Sequence, residues 1–186
     1  MEYSVFRKKV VLCGNAGVGK TCLVERLIQG QFNSKVKETI GTNTHDWSTK
    51  VENRQVVLKI WDTAGQERYL ALAPIYFRGS AGAIIVFDVN DENYEQSIQQ
   101  WTEIIRNTCG NDAFIILAAN KSDLSESREH VLSITNKAFT KHKIQCVLTS
   151  ARTGENVENM FQIMAENVAC PESKSIIEDR RSGCLC

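Results

Sequence analysis

The sequence predicts a single doubly wound α/β domain, in which a mostly parallel six-stranded sheet with one antiparallel edge strand carries helices on both faces. Short β-branched runs alternate with longer segments of helical periodicity. The runs at 83–89 and 114–119 are apolar throughout, as in strands that are covered on both faces. With 186 residues the chain has the length of one domain, which we expect over 5–170, followed by a flexible tail over 171–186.

The individual elements follow from periodicity and from the turn residues between them. Strands are expected at 10–13, 44–51, 56–61, 83–89, 114–119 and 144–148. Helices are expected at 23–28, through 98–105, at 131–141 and at 157–168. Because the short polar turn 52–54 joins the second and third strands, these two should form an antiparallel hairpin at an edge of the sheet. Pro171 should end the last helix.

Charge and cysteine content exclude several classes of partner. Lys plus Arg and Asp plus Glu both number 22, so no bulk charge draws the chain to nucleic acid or to an anionic membrane. No apolar run approaches the roughly 18 residues needed to span a bilayer, and the N-terminus lacks a signal-peptide core, so an intracellular protein is expected. Five cysteines lack zinc or disulfide spacing and should be small buried hydrophobic residues: Cys13, Cys22, Cys109, Cys146 and Cys170. The three histidines, also without metal-ligand spacing, should be solvated: His45, His130 and His142.

Residues 14–21 fit the phosphate-loop pattern G-x-x-x-x-G-K-[ST], between a predicted strand and a predicted helix. In such a loop the backbone N–H groups wrap the phosphates, Lys20 offers its charge to the β and γ phosphates, and Thr21 presents a hydroxyl to Mg²⁺. The nucleotide contacts are expected from Asn15, Ala16, Gly17, Val18, Gly19, Lys20, Thr21 and Cys22. The loop by itself leaves adenine and guanine open.

The base is predicted by a second motif, N-K-x-D at 120–123, which follows a strand where open α/β sheets bind ligands. Asp123 can accept hydrogen bonds from N1 and the amino group of guanine, which adenine cannot match. Asn120 and Lys121 belong to the same motif. Ser150 and Ala151 follow the last strand and can add backbone donors to the guanine oxygen. The sequence therefore favours guanine.

The reaction is predicted by D-T-A-G-Q at 62–66, which closes the second hairpin strand. Asp62 can orient Mg²⁺ through its waters, Gly65 lets its N–H approach a γ-phosphate, and Gln66 can orient an attacking water. Phosphoryl transfer to water depends on positioning and on charge stabilisation, so we expect Gln66 and Lys20 to carry catalysis without a covalent nucleophile. In the polar connector 32–41, Thr39 is the residue poised for Mg²⁺, and a γ-phosphate could order this segment until hydrolysis releases it.

Together these residues resemble the Rab family of the Ras superfamily, from Lys8 to Cys186. The resemblance rests on W-D-T-A-G-Q-E-R-Y at 61–69, Y-F-R-G at 76–79 and C-L-C at 184–186. It implies the P-loop NTPase fold of small G proteins, with GTP or GDP and Mg²⁺ as ligands. It also implies that Phe32 stacks on the guanine and that Thr39 binds Mg²⁺ in the GTP state. The segment 72–79 is similar to that of endosomal Rabs.

The resemblance also implies how such a protein works. It would be a monomer that switches between GDP and GTP, hydrolyses GTP slowly, and recruits effectors in intracellular membrane trafficking. Its other partners would be an exchange factor, a GTPase-activating protein and a GDP-dissociation inhibitor. Three residues depart from the family pattern: Thr44 replaces an aromatic residue that contacts effectors beside Trp61 and Tyr76, Ala16 replaces the loop glycine of Ras, and Arg152 replaces a lysine. The aliphatic stem of Arg152 can still pack against the base.

The C-x-C end at Cys184 and Cys186 differs from the C-a-a-X pattern, and in Rabs it implies two geranylgeranyl groups. Two chains give long membrane residence unless a carrier masks both, so we expect the cytoplasmic face of intracellular membranes together with a carrier-bound pool in the cytosol. Acidic residues in the tail offset its Lys174, Arg180 and Arg181, so electrostatic targeting is small.

Two alternatives remain open at this point. A scaffold that holds GTP constitutively without hydrolysis is compatible with Ala16 in the loop. A small-molecule kinase shares the phosphate loop, but it would need an acceptor pocket and a lid, for which the chain has no spare segment, and Asp123 predicts guanine rather than adenine.

Overall fold

The computed structural model of the chain describes residues 5–34, 39–65, 73–125 and 127–169. In these ranges the strands are β1 (Val5–Cys13), β2 (Thr42–Val51), β3 (Arg54–Thr63), β4 (Gly82–Asp88), β5 (Phe114–Asn120) and β6 (Gln145–Leu148). The helices are α1 (Lys20–Gln29), α2 (Ala73–Phe77), α3 (Tyr94–Cys109), α4 (Arg128–His142) and α5 (Val157–Ala169). A 3-10 turn, Ser122–Leu124, follows β5.

The strands form one six-stranded sheet in the order β2-β3-β1-β4-β5-β6. β2 pairs with β3 in antiparallel register, from Thr42 opposite Thr63 to Val51 opposite Arg54. The other pairs, β3 with β1, β1 with β4, β4 with β5 and β5 with β6, are parallel. The predicted sheet with one antiparallel edge strand is therefore confirmed, and the carboxyl ends of the parallel strands meet at one edge.

Helices cover both faces of the sheet, as the apolar strands predicted. On β4, Ile84 and Val86 pack toward the face that carries α1 and α5, whereas Ala83, Ile85 and Phe87 pack toward the face that carries α2, α3 and α4. Both sets are buried. Because successive strand residues point to opposite faces, each apolar run supplies both cores.

Two elements differ most from the sequence prediction. β1 begins at Val5 rather than Val10, because its charged first half pairs with β3, starting with Val5 opposite Gln55. The five-residue helix α2 was not predicted, since a segment this short has little periodicity and contains a proline. Its Phe77 is buried against α3, where its ring lies 6.3 Å from that of Trp101. Among the helices described, none has the length and apolar character to cross a membrane.

The cysteines and histidines agree only partly with expectation. Cys13 is fully buried, but Cys22, Cys109 and Cys146 are only partly buried, and Cys170 lies outside the described residues. His130 is exposed as predicted, whereas His45 and His142 are partly buried. His142 ends α4, its Nε2 is covered without a hydrogen-bond partner in the described ranges, and burial lowers its pKa.

Candidate functional site

The phosphate loop, residues 14–19, runs from the end of β1 at Cys13 to the start of α1 at Lys20. Gly14 has φ +138, and a Cβ there would lie 2.1 Å from the backbone oxygen of Val86 on β4. Gly19 has φ +98, and a Cβ there would lie 2.5 Å from Nδ2 of Asn120. Only glycine fits these two close approaches without displacing backbone or the buried amide.

Lys20 is buried at the first position of α1, with 6% of its surface exposed. Its Nζ donates to the carbonyl oxygens of Gly14 and Asn15, both at 2.9 Å. Burial lowers the pKa of Lys20 to about 8, although the carboxylate of Asp62 acts to raise it. A buried ammonium whose hydrogen bonds from the described residues go to carbonyl oxygens is suited to an anionic ligand, which would offset its desolvation.

Three oxygen-bearing side chains meet beside Lys20. The hydroxyl of Thr21 donates to Oδ2 of Asp62 at 2.7 Å, and it lies 2.7 Å from the hydroxyl of Thr39. Asp62 is fully buried, and its Oδ1 has no hydrogen-bond partner among the described residues. Burial therefore raises the pKa of Asp62, against the hydrogen bond from Thr21 and the charge of Lys20.

This group fits Mg²⁺, which prefers oxygen ligands and usually keeps several of its waters. The two hydroxyls would bind the ion directly, and the unsatisfied oxygen of Asp62 would accept from its water. When bound, Mg²⁺ neutralises charge on the phosphates of a nucleotide. The three predicted metal-site residues, Thr21, Thr39 and Asp62, thus come together from α1, from the connector and from β3.

Gly65 follows β3 and lies against the phosphate loop. A Cβ at this position would be 2.3 Å from Nζ of Lys20 and 2.4 Å from the carbonyl oxygen of Asn15. The backbone of Gly65 therefore lies closer to the phosphate end of the site than a residue with a side chain could. Gln66, the predicted catalytic residue, lies outside the described residues.

The guanine motif begins with a buried amide that joins three segments. Asn120 Nδ2 donates to the carbonyl oxygen of Val18 at 2.8 Å. Its Oδ1 accepts from the backbone N–H of Ala151 at 3.3 Å and lies 3.4 Å from the hydroxyl of Thr149. With 1% of its surface exposed, Asn120 ties the phosphate loop to the loop after β6.

Asp123 is held at the other end of the motif. Its Oδ1 accepts from the hydroxyl of Ser150 at 2.5 Å, and its Oδ2 lies 3.9 Å from Nη1 of Arg152. Lys121, which has φ +66, forms an ion pair with Asp88 at 2.8 Å. Burial acts to raise the pKa of Asp88, but bonds from Lys121 and Asn90 hold it below its ordinary value.

A cavity of about 600 Å³ lies between these groups. It is lined by Gly17, Gly19, Cys22, Phe32, Ser34, Asn120, Lys121, Asp123, Leu124, Ala151 and Arg152. Nine of these eleven were predicted to contact the nucleotide; Ser34 and Leu124 were not, and neither carries a motif that would have singled it out. The volume suits a small-molecule ligand.

Two predicted loop residues differ in their surroundings. Ala16 is exposed, whereas Asn15 is partly buried and its Oδ1 accepts from Nε1 of Trp101 at 3.1 Å. Sequence reasoning missed Trp101, Asp88 and Arg26 as residues that support the site. Arg26 donates to the carbonyl oxygens of Ala151 and Arg152. No local pattern links residues that lie so far apart in sequence.

Comparison with known proteins gives a consistent result. A family model for the Ras family matches residues 9–170. The chain is 34% identical to Ras-related protein Rab-13 of Rattus norvegicus over 160 residues, which cover 86% of this chain and 79% of that protein. It is 37% identical to Ras-related protein Rab-4 of Dictyostelium discoideum over 161 residues, or 87% and 78% of the two chains. Its identity to Ras-related protein Rab-11A of Dictyostelium discoideum is 36% over 154 residues, or 83% and 72%.

The phosphate loop, the oxygen cluster and the guanine motif all belong to residues that the Ras family model matches. Members of this family bind GTP or GDP with Mg²⁺ and hydrolyse GTP. The chain is therefore a small GTPase of the Ras family and belongs to its Rab group.

Proposed function

We propose that this Rab GTPase cycles between GDP and GTP on intracellular membranes and recruits effectors for vesicle trafficking while it holds GTP. One observation carries the proposal: the hydroxyl of Thr39, from the connector, lies 2.7 Å from the hydroxyl of Thr21, beside Asp62. The position of Thr39 is thereby linked to the proposed Mg²⁺ site. A γ-phosphate that shares the metal would hold the connector, and its loss would release it.

Hydrolysis in this proposal depends on Lys20 and Gln66. Lys20 would stabilise charge on the β and γ phosphates, and the N–H of Gly65 would approach the γ-phosphate. Gln66 would orient the attacking water. By analogy with unassisted Ras, turnover would be on the order of 10⁻⁴ per second, so a GTPase-activating protein would be needed for timely switching.

The nucleotide roles divide between the two ends of the site. The loop residues 15–22 would hold the phosphates, with Thr21, Thr39 and Asp62 at the metal. Asp123, Ala151 and their neighbours would recognise guanine. Phe32, which has 38% of its surface exposed, would stack on the base from the open side of the cavity, and the stem of Arg152 would pack against it.

Effectors would bind beside the connector. The rings of Trp61 and Tyr76 lie 6.5 Å apart, and Thr44 is opposite Trp61 in the β2–β3 register. Ile75 is 70% exposed next to Tyr76. Because Thr44 brings no ring to this surface, effectors that need three aromatic residues should bind poorly, and partners that place a larger side chain over Thr44 should be preferred.

Membrane attachment would come from the tail over 171–186, which follows the GTP-binding domain over 5–170. Two geranylgeranyl groups on Cys184 and Cys186 would keep the protein on a cytoplasmic membrane face, with endosomes as one candidate. A GDP-dissociation inhibitor would mask both lipids in a cytosolic pool, and an exchange factor would load GTP. Doubly mutated protein, Cys184→Ser with Cys186→Ser, should become diffuse in cells, and an unchanged distribution would contradict attachment by these lipids.

The decisive experiment on the enzymatic cycle is single-turnover hydrolysis of GTP loaded onto the full chain. Gln66→Leu should slow phosphate release by about 10²-fold or more, as expected when a positioned water is lost. GDP affinity should stay close to that of the unaltered protein. If the unaltered protein released no phosphate even with cell extract, the scaffold alternative suggested by Ala16 would replace the proposed cycle.

A further inference from the structure

Arg26 lies on α1, and its guanidinium is shared between the loop after β6 and the end of its own helix. Nε donates to the carbonyl oxygen of Ala151 at 2.8 Å, and Nη2 donates to that of Arg152. Nη1 donates to the carbonyl oxygen of Gly30 at 2.7 Å, where α1 ends. The side chain thus holds the loop after β6 with two N–H groups while a third fixes the guanidinium itself.

The loop after β6, which Arg26 holds, forms a turn beside the arginine side chain. The backbone N–H of Gly154 donates to the carbonyl oxygen of Ser150 at 2.8 Å, which closes the loop into a turn. A Cβ on Gly154 would lie 3.7 Å from Cδ of Arg26, so the arginine stem passes next to this glycine. Two carbonyl oxygens of the turn, those of Ala151 and Arg152, point to the guanidinium, which leaves the backbone N–H of Ala151 directed to the other side.

That other side is the guanine pocket. The N–H of Ala151 is directed to Asn120, and both residues line the cavity. Ser150, in the same turn, donates to Oδ1 of Asp123. A shift of the turn would therefore move both the donor for the guanine oxygen and the carboxylate for the guanine N1 and amino groups.

We propose that Arg26 is a positioning residue for guanine selectivity: by bonding the carbonyl oxygens of Ala151 and Arg152, it fixes the turn that recognises the base. It touches no nucleotide atom in this role. The inference rests on the proposed assignment of Asp123 and Ala151 to the base. It adds a selectivity determinant on α1, outside both guanine motifs.

The test compares diphosphates that differ only in the base. Inosine diphosphate lacks the amino group that Asp123 would bind, and the diphosphate of 2,6-diaminopurine riboside carries an amino group in place of the guanine oxygen. Arg26→Met should release GDP about 10- to 100-fold faster, because hydrogen bonds from a charged donor are lost. The preference for GDP over both analogues should fall, whereas the ratio of GDP to GMP affinity, which reports the β-phosphate, should stay unchanged.

Arg106 provides a matched control. It stands four residues before the glycine that ends α3, as Arg26 does on α1, and its Nη1 donates to two loop carbonyl oxygens, those of Asn111 and Ala113, at 2.7 and 2.9 Å. Arg106→Met should lower stability in a similar way but leave every nucleotide ratio at the unaltered value. An equal loss of base preference in both variants would show that Arg26 acts only through the general stability of the fold.

Arg26→Lys covers the case in which Arg26→Met does not fold. Lysine keeps the charge but lacks the planar guanidinium, so the Arg26→Lys variant should lose part of the base preference. Unchanged ratios in the folded Arg26 variants would overturn the proposal. Asp123→Ala separates the assigned base site from the role of Arg26. If this variant retained its preference for guanine, the assigned base site would be refuted. If it lost that preference while the Arg26 variants kept theirs, the role of Arg26 alone would be refuted.

Discussion

The indole Nε1 of Trp101 donates to Oδ1 of Asn15 across 3.1 Å. Trp101 lies on α3, on the opposite face of the sheet from α1. The phosphate loop is therefore held by α3 through this bond, in addition to its covalent continuation into α1. Because Asn15 also offers its carbonyl oxygen to Lys20, the bond from Trp101 reaches the buried ammonium through one intervening residue.

Replacing Trp101 by phenylalanine should loosen this loop while keeping an aromatic ring near Phe77. The loss of one neutral hydrogen bond costs about 1 kcal/mol, so GDP should be released about fivefold faster. Release of ribose-labelled GDP measures the effect. Trp47→Phe is the control, since Trp47 lies on β2 and packs near Phe161, away from the loop. If Trp101→Phe also accelerates release in an Asn15→Ala background, the effect does not pass through Asn15.

Nucleotide binding should take up a proton at alkaline pH. In the nucleotide-free protein burial lowers the pKa of Lys20 to about 8 from its ordinary 10.5. Between about pH 8 and pH 10.5 the folded state therefore binds fewer protons than the unfolded state. The destabilisation due to Lys20 is full below pH 8 and is relieved as the pH rises toward 10.5. Phosphates favour the ammonium form, so GDP binding at pH 9 should take up roughly one proton at Lys20. Calorimetry in two buffers of different ionisation enthalpy measures this, and proton uptake that is equal at pH 7 and pH 9 would contradict it.

Asp62→Asn should weaken Mg²⁺ rather than the base contacts. The substitution removes the charge beside Thr21, and loss of such an outer partner typically costs 10- to 100-fold in metal affinity, which is about what we expect. Chelation of Mg²⁺ should therefore accelerate GDP release much less in this variant than in the unaltered protein. Asp46→Asn, at an exposed carboxylate on β2 that pairs with Arg7, is the control and should respond to chelation normally.

Gly65→Ala should separate hydrolysis from binding. The added methyl group would meet Lys20 and Asn15 at distances below 2.5 Å, so the segment after β3 must move away from the phosphate loop. A displacement of about 1 Å at a catalytic group can cost about 100-fold in rate, and we expect a loss of this order in single-turnover GTP hydrolysis. GDP release should change much less, and equal losses in both measurements would show that the variant disturbs the loop as a whole.

The grouping of the site could be predicted from sequence because its residues occur in contiguous motifs. The spacing of glycines from Gly14 to Gly19 requires backbone that other residues cannot adopt, and Asn120 with Asp123 stands at the end of an apolar strand. The fold could also be predicted from sequence, because strands covered on both faces are apolar along their whole length.

Residues that support the motifs were beyond prediction. Arg26 meets Ala151, and Trp101 meets Asn15, only because the sheet brings distant segments together, and neither side chain has a local signal. The first half of β1 was also missed, because its charged residues precede the apolar run at 10–13 from which the strand was predicted. In the fold Lys9 instead lies over the ring of Trp61, 4.2 Å from its centroid, so tertiary contact overrides local character.

Helix α1 carries Lys20 at its first position and Arg26 in its second turn, six residues on. At 1.5 Å per residue these positions are about 9 Å apart along the axis, on a body that does not stretch. The helix thus fixes the distance between the residue at the phosphate end and the residue at the base end of one nucleotide. One inserted residue between them would turn the second position by about 100° and carry the guanidinium away from its turn. The length of this segment should consequently resist change even where its exposed side chains tolerate substitution.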